Sequence, residues 1–304
     1  MTRTPHPEEL PQDAPLDAEA LARIVAVALD EDLGAAPGRD VTTQSTIAAD
    51  ARVAGVVATR EECVLAGVDA IGETMRQVAA RLGLEPPVVE IVARDGDRLS
   101  PGAVIARFEG PGHVVLIAER TLLNLMSRAS GVATHTRRWA DALAGTDAKV
   151  LDTRKTTPGL RALEKYAVRT GGGVNKRMGL FDCAMVKDNH IVAAGSVADA
   201  IARIGARFPD VPVQVEVEDV AQAREAIAAG ARFLMLDNMP PETMRALVDE
   251  VRAGEHATGK VWLEATGGLT LANVRSVAEA GVDFMSVGAL THSSPIVDLG
   301  LDLA

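Results

Sequence analysis

Between Leu151 and His190 the chain reads LDTRKTTPGLRALEKYAVRTGGGVNKRMGLFDCAMVKDNH. In a protein of net charge −11, the span from Asp152 to His190 sets eight cations (Arg154, Lys155, Arg161, Lys165, Arg169, Lys176, Arg177 and Lys187) against four acids. Arg161, Lys165 and Arg169 share helical spacing with Glu164 and read as a solvated helix face. The other five, Arg154, Lys155, Lys176, Arg177 and Lys187, flank a triple glycine or end strand-like runs. Guanidinium forks match carboxylates and phosphates bidentately, and ammonium groups add point charges. Without an anion such a cluster suffers repulsion and desolvation, so it implies a multiply anionic ligand.

Acids stand near these cations in the pattern. VQVEVE, residues 213–218, alternates strictly, with Gln214, Glu216 and Glu218 on one face and valines on the other. A buried parallel strand is apolar on both faces, so its carboxylates need cationic or metal partners. With the valines toward helices, Glu216 points inward at a barrel mouth; the alternative is solvated glutamates over inward valines. Asp237 closes FLMLD, either as a helix N-cap before MPPETM or as half of a carboxylate pair. Such a pair binds Mg²⁺ through an anionic substrate or steadies a developing positive charge. Two later runs, EATGGL and SVGAL, put glycines at strand ends, where backbone N–H groups approach phosphates. His190 and His292 show no metal-binding spacing, and no GxSxG, Walker A or post-strand GxGxxG pattern occurs.

The elements that must position these residues follow from composition and periodicity. A chain of 304 residues, 47% apolar and 24% charged, suits one large α/β domain or a barrel with a smaller companion. Aromatics are 3%, which leaves the packing to aliphatic side chains. The acidic balance argues against nucleic acid or anionic membrane as partners. No apolar run suits a membrane span, no secretory signal opens the chain, and Cys63 and Cys183 lie far apart, which together suit a reducing cytoplasm. Met1 to Ala14 reads as a loose tail. Asp17 to Leu29 has helical spacing, and RVAGVVA, CVLAGV, VVEIVA and AVIARFEG read as strands around a helix at Asp69 to Leu82. This first part is an antiparallel α+β unit. VVLIAERTLLNLMSRASG then reads as a long buried helix and THTRRWADALAG as a second. Beyond it, six strands (KVLDTRK, CAMVKDN, VQVEVED, FLMLDN, VWLEATGG and FMSVGAL) alternate with helices, which demands parallel pairing and right-handed crossovers. A doubly wound sheet and a β/α barrel both satisfy that pattern. The polar residues that end the strands favour the barrel, where enzymes of that fold keep their chemistry.

These runs, together with EDLGAAPGRDVTT, AERTLLNLMSRASGVAT, VEVED, LDNM, EATGG and SVGALTHS, closely resemble the quinolinate phosphoribosyltransferase family from about Asp30 to Pro295. The resemblance implies an α/β fold of the type II phosphoribosyltransferase kind, an N-terminal α/β sandwich followed by an incomplete β/α barrel. It places the tail at 1–16, the sandwich at 17–130 and the barrel at 131–304, with the last residues packing back on the sandwich. It also implies phosphoribosyl transfer from phosphoribosyl pyrophosphate to quinolinate, with decarboxylation, in NAD biosynthesis, with Mg²⁺. By position, Arg154, Lys176, Arg177 and Lys187 would bind quinolinate and phosphates, with Lys155 close by and catalytic. Glu216 and Asp237 would face ribose and reach Mg²⁺ through the phosphates, while Thr266, Gly267, Gly268 and Gly288 would cradle the 5′-phosphate. Arg120 resembles an arginine lent to a neighbouring subunit, which implies at least a homodimer. Two departures stand out: Lys176 occupies a position where the family usually has His, and Thr266 one where it usually has Ser. A relative using nicotinate, a Schiff-base lyase on Lys155 or Lys187, and a non-catalytic anion binder are the rival chemistries; paired carboxylates in the pocket disfavour the last.

Overall fold

The computed structural model describes residues 14–304, so the tail expected over 1–16 falls mostly outside the described residues. The described chain forms two compact units, one of residues 14–137, 156–172 and 290–304, the other of 138–155 and 173–289.

In the first unit, helix α1 (Ala18–Leu33) begins where the Asp17 carboxylate accepts the N–H groups of Glu19 and Ala20. It buries Leu21, Ile24, Val25 and Leu29, one stripe at helical spacing. A short helix α2 (Thr43–Thr46) precedes strands β1 (Arg52–Thr59) and β2 (Cys63–Val64), helix α3 (Asp69–Leu82), and strands β3 (Val88–Ile91), β4 (Arg98–Leu99) and β5 (Val104–Pro111). The main sheet is antiparallel and runs from the C-terminal strand Leu299–Leu303 through β1 and β5 to β3. Of the run expected as a strand over 63–68, only Cys63–Val64 is one. Gly67 turns the chain with φ +86°, and the Asp95 carboxylate accepts the N–H groups of Gly67 and Val68 as α3 begins.

Two expectations for this unit need correction. The two helices expected over 114–145 are one, α4 (Gly112–Ala142). Gly131, the last residue of the first expected helix, is a close-approach residue: a Cβ there would overlap the carbonyl oxygen of Pro295. Nor is α5 (Arg161–Thr170) a solvated charged helix, because Glu164 and Lys165 are both fully buried. The Glu164 carboxylate accepts from Arg128 Nη2 at 2.7 Å, from Thr157 Oγ1 at 2.7 Å and from the Thr157 N–H at 2.9 Å. Helical spacing shows which charges share a face; it does not show that Arg128 waits on α4 to neutralise one of them.

The second unit holds strands β6 (Lys149–Leu151), β7 (Ala184–Val186), β8 (Val213–Val217), β9 (Phe233–Asp237), β10 (Trp262–Thr266) and β11 (Phe284–Ser286). Helices α6 (Asp188–Ala194), α7 (Val197–Arg207), α8 (Val220–Ala228), α9 (Pro241–Thr258) and α10 (Val274–Ala278) connect β7 through β11. Ser196 and Asp219 cap α7 and α8 through their side chains. All neighbours pair in parallel in the order β6-β11-β10-β9-β8-β7. A doubly wound sheet reverses direction at an internal strand. Here the sequence is cyclic instead, stepping from β7 to β11 and on to β6, with its one break between β6 and β7, as in an incomplete β/α barrel. At β6 the extended segment around Val174 makes an isolated parallel bridge to Leu151. One face of the sheet is filled by Leu151, Val174, Phe233, Met235 and Phe284, with Phe233 and Phe284 stacked at 5.9 Å. Register puts Glu216 beside Met235, Met235 beside Glu264 and Glu264 beside Phe284, so both glutamates share this inner face.

Candidate active site

A polar residue ends each strand of the second unit or directly follows it, and Lys187 and Glu216 meet. On β8, Glu216 accepts from Lys187, which lies just beyond β7, with Nζ 2.5 Å from Oε2. The lysine side chain is 44% exposed and the glutamate 16%, so the pair opens to solvent on the lysine's side. On β9, Asp237 lies opposite Thr266 of β10 and one inward-facing position beyond Met235. It does not cap α9, whose cap position is Pro240.

The glycines after β10 are held by a residue that sequence reasoning missed. Asn238 takes φ +51°, a left-handed conformation that asparagine tolerates better than most residues. Its Nδ2 donates to Asp237 Oδ2 at 3.1 Å, and its N–H donates to the Thr266 carbonyl at 2.9 Å. Gly267 and Gly268 have φ +84° and +60°, and a Cβ on Gly267 would overlap the Asn238 amide. The acid on β9 and the glycine turn after β10 are thus one construction. Gly288 follows β11, with Ser286 buried before it. The one sequence signal for Asn238 is its residue type directly after a strand-ending acid.

Arg154, beyond β6, and Arg177 lie close enough for the charge of one to act on the other. The Nε atoms of both are buried and have no hydrogen-bond partner. Arg177 Nη1 donates to the Cys183 carbonyl at 2.9 Å. Burial first, and the Arg154 charge second, lower the proton affinity of Arg177 below the usual guanidinium range. Two guanidinium groups placed in this way can receive a bidentate anion. Burial also pushes the Cys183 thiol up to about 11, against the pull of the Arg177 and Lys176 charges.

Lys176 departs from its expected place at the rim. It is 5% exposed, and its ammonium lies 2.7 Å from Glu264 Oε1, 2.6 Å from Oε2 and 3.0 Å from Met235 Sδ. Its own N–H donates to Asp152 Oδ1 at 2.8 Å, and Asn175 Nδ2 donates to Oδ2 of the same carboxylate at 2.6 Å. Asp152 and Glu264 are both fully buried. The period-two alternation that turns Val174 inward turns Lys176 inward as well.

Two more of the expected site residues lie at the surface. Lys155 is exposed, with its N–H donating to Thr153 Oγ1 at 3.0 Å. Arg120 is exposed on α4, in the other unit. Among the described residues no group of three or more His, Cys, Asp or Glu is gathered to hold a metal. Glu216 and Asp237 lie on adjacent strands, which fits a hard divalent cation that brings most of its oxygen ligands on a phosphate substrate. No helix among the described residues is long and apolar enough to cross a membrane.

Chemically, such residues can offer anion capture at two arginines, backbone N–H groups at glycine turns for a phosphate, and carboxylates on adjacent strands for a developing positive charge. Family models for the N-terminal and C-terminal domains of quinolinate phosphoribosyl transferase match residues 40–130 and 132–302. Nicotinate-nucleotide pyrophosphorylase [carboxylating] of Mycobacterium leprae is 45% identical over 278 residues, 91% of this chain and 94% of that one. The probable counterpart in Bacillus subtilis is 42% identical, with 90% of each chain covered. The crystal structure of NadC from Streptococcus pyogenes superposes with a TM-score of 0.87 at 34% identity, covering 96% of this chain and 99% of that one.

Proposed function

The chain belongs to the quinolinate phosphoribosyltransferase family, and from that premise we propose which of its residues carry the reaction. The activity is that of a carboxylating nicotinate-nucleotide pyrophosphorylase, in which quinolinate and phosphoribosyl pyrophosphate give nicotinate mononucleotide, pyrophosphate and CO₂ in NAD biosynthesis. The quinolinate nitrogen attacks the anomeric carbon of ribose as the bond to pyrophosphate breaks. The ring nitrogen becomes cationic, and the adjacent carboxylate leaves as CO₂. Its electron pair stays on the ring carbon, which then takes a proton.

In our assignment Arg154 and Arg177 grip the quinolinate carboxylates, with Lys187 at the same rim. Glu216 and Asp237 face the ribose and stabilise the positive charge that develops on it. Lys187 divides its charge between Glu216 and ligand, which holds the Glu216 carboxylate in place. Thr266, Gly267, Gly268 and Gly288 cradle the 5′-phosphate with backbone N–H groups, and Asn238 holds that turn against Asp237. Lys155 reaches phosphate oxygens from its exposed position beside Arg154. Mg²⁺ arriving on phosphoribosyl pyrophosphate, within reach of Glu216 and Asp237, would neutralise phosphate charge. Arg120 completes the site of a neighbouring copy, so the working form is at least a homodimer. A reducing, cytoplasmic setting accords with two free, buried cysteines.

The observation that carries the choice of quinolinate is the pair of buried, unpartnered Nε atoms on Arg154 and Arg177. A dicarboxylate satisfies two guanidinium groups, and a monocarboxylate leaves one of them unmet. Calorimetric titration with quinolinate and with nicotinate tests this. Quinolinate binding at least tenfold tighter is expected; equal affinities would mean the arginines serve another ligand.

A further inference from the structure

The buried Lys176 is the residue for which ligand binding leaves no room. We propose that Lys176 is a positioning residue rather than a substrate cation: its ammonium is committed to Glu264, and the pair fixes the backbone that presents Arg177. This rests on the assignment of Arg177 to quinolinate made above.

Three observations support the pair as a clamp. The segment that carries Arg177 leaves β6 through a single bridge at Val174, where the strand ladder is broken, so it lacks the continuous pairing that fixes a strand. It is held instead at side chains: Asn175 Nδ2 and the Lys176 N–H both grip the Asp152 carboxylate, at 2.6 and 2.8 Å. The Lys176 side chain then crosses the filled inner face to Glu264 on β10, passing Met235 and lying 5.9 Å from the centroid of the Phe233 ring. Lys176 therefore ties the segment to a strand three places away in the sheet order, with a charge that is neutralised on arrival. The neighbouring residue is Arg177, whose Nε remains without a partner. Loss of either partner leaves an unpaired charge in the core, whereas removal of both leaves none, so the two residues must be strongly coupled.

The test is a double-mutant cycle of Lys176→Met and Glu264→Gln, with KM measured separately for quinolinate and phosphoribosyl pyrophosphate. Each single variant is expected to raise the quinolinate KM about tenfold or more and the phosphoribosyl pyrophosphate KM less than about twofold, with the double variant no worse than the poorer single one. Additive losses would overturn the proposal, because a lysine that touches substrate is missed whether or not Glu264 is present. Equal rises in both KM values would also overturn it, as general loosening of the fold. Arg177→Lys is the control for the underlying assignment: an unchanged quinolinate KM there would retire the role of Arg177 in binding and not the clamp. The clamp is then judged by amide hydrogen exchange, which needs no substrate. In Glu264→Gln the Lys176 N–H should exchange at least tenfold faster while amides of β9 keep their protection. Unchanged exchange at Lys176 would refute the clamp outright, and this isosteric variant carries the test if Lys176→Met does not fold.

Discussion

Arg177 and Arg154 share one corner of the strand-end face, each with a buried Nε that has no acceptor, and each a cost to the folded protein until an anion arrives. Removing one should therefore harm binding and spare the fold. Arg177→Ala is expected to lose about 2–5 kcal/mol of quinolinate binding or transition-state stabilisation, roughly 30- to 5,000-fold in kcat/KM. The melting temperature should stay within about 2 °C of the parent. Steady-state kinetics with a thermal melt on the same sample checks both halves.

The carboxylates should act on rate. Glu216→Gln and Asp237→Asn each remove a negative charge from the face where positive charge develops, and are expected to lower kcat by about 10²- to 10³-fold. The quinolinate KM should change much less. A variant that raised KM and kept kcat would place its carboxylate in ground-state binding.

Gly267 joins the glycine turn to Asp237 through Asn238. Gly267→Ala must accommodate φ +84° and the Asn238 amide in the same place. A cost of about 1–3 kcal/mol is expected, with a raised phosphoribosyl pyrophosphate KM and a lowered melting temperature.

Gly131→Ala tests the fold through a reversal of sign. In an exposed helix interior that change stabilises by about 1 kcal/mol. In α4 the new methyl group would meet the Pro295 carbonyl oxygen, so a loss of about 1–3 kcal/mol is expected in chemical denaturation.

Burial raises the Cys183 thiol from its ordinary 9.0 to about 11. Native Cys183 thus keeps a proton that the unfolded chain gives up above about pH 9, so its contribution to stability is complete below that point and is lost as pH climbs toward 11. Melting temperatures from pH 8 to 10.5 should fall more steeply for the parent than for Cys183→Ala. Thiol-reactive reagents should label native Cys183 slowly at pH 8.

Much of this architecture is legible from periodicity and residue type. The six parallel strands stand where their β-rich runs lie, and α3 spans Asp69–Leu82, the limits its spacing predicts. These signals are local, carried by alternation, capping and turn residues. What sequence did not disclose depends on partners far along the chain. The two runs over 114–145 look like separate helices, and only the fold shows Gly131 within one helix against Pro295. Glu164 looks solvated until Arg128 meets it. Lys176 looks like a fifth rim cation until Glu264, 88 residues away, takes its charge. Charge at a given spacing states what a residue can do, and only packing states which charges are left for a ligand.

The reaction is a transfer coupled to decarboxylation. Its most direct test incubates the full chain with quinolinate, phosphoribosyl pyrophosphate and Mg²⁺ and measures nicotinate mononucleotide and CO₂ in the same vessel. The account predicts one CO₂ per nucleotide, with no nucleotide formed when nicotinate replaces quinolinate. A folded sample that gave no product, or that made nucleotide from nicotinate without CO₂, would contradict it.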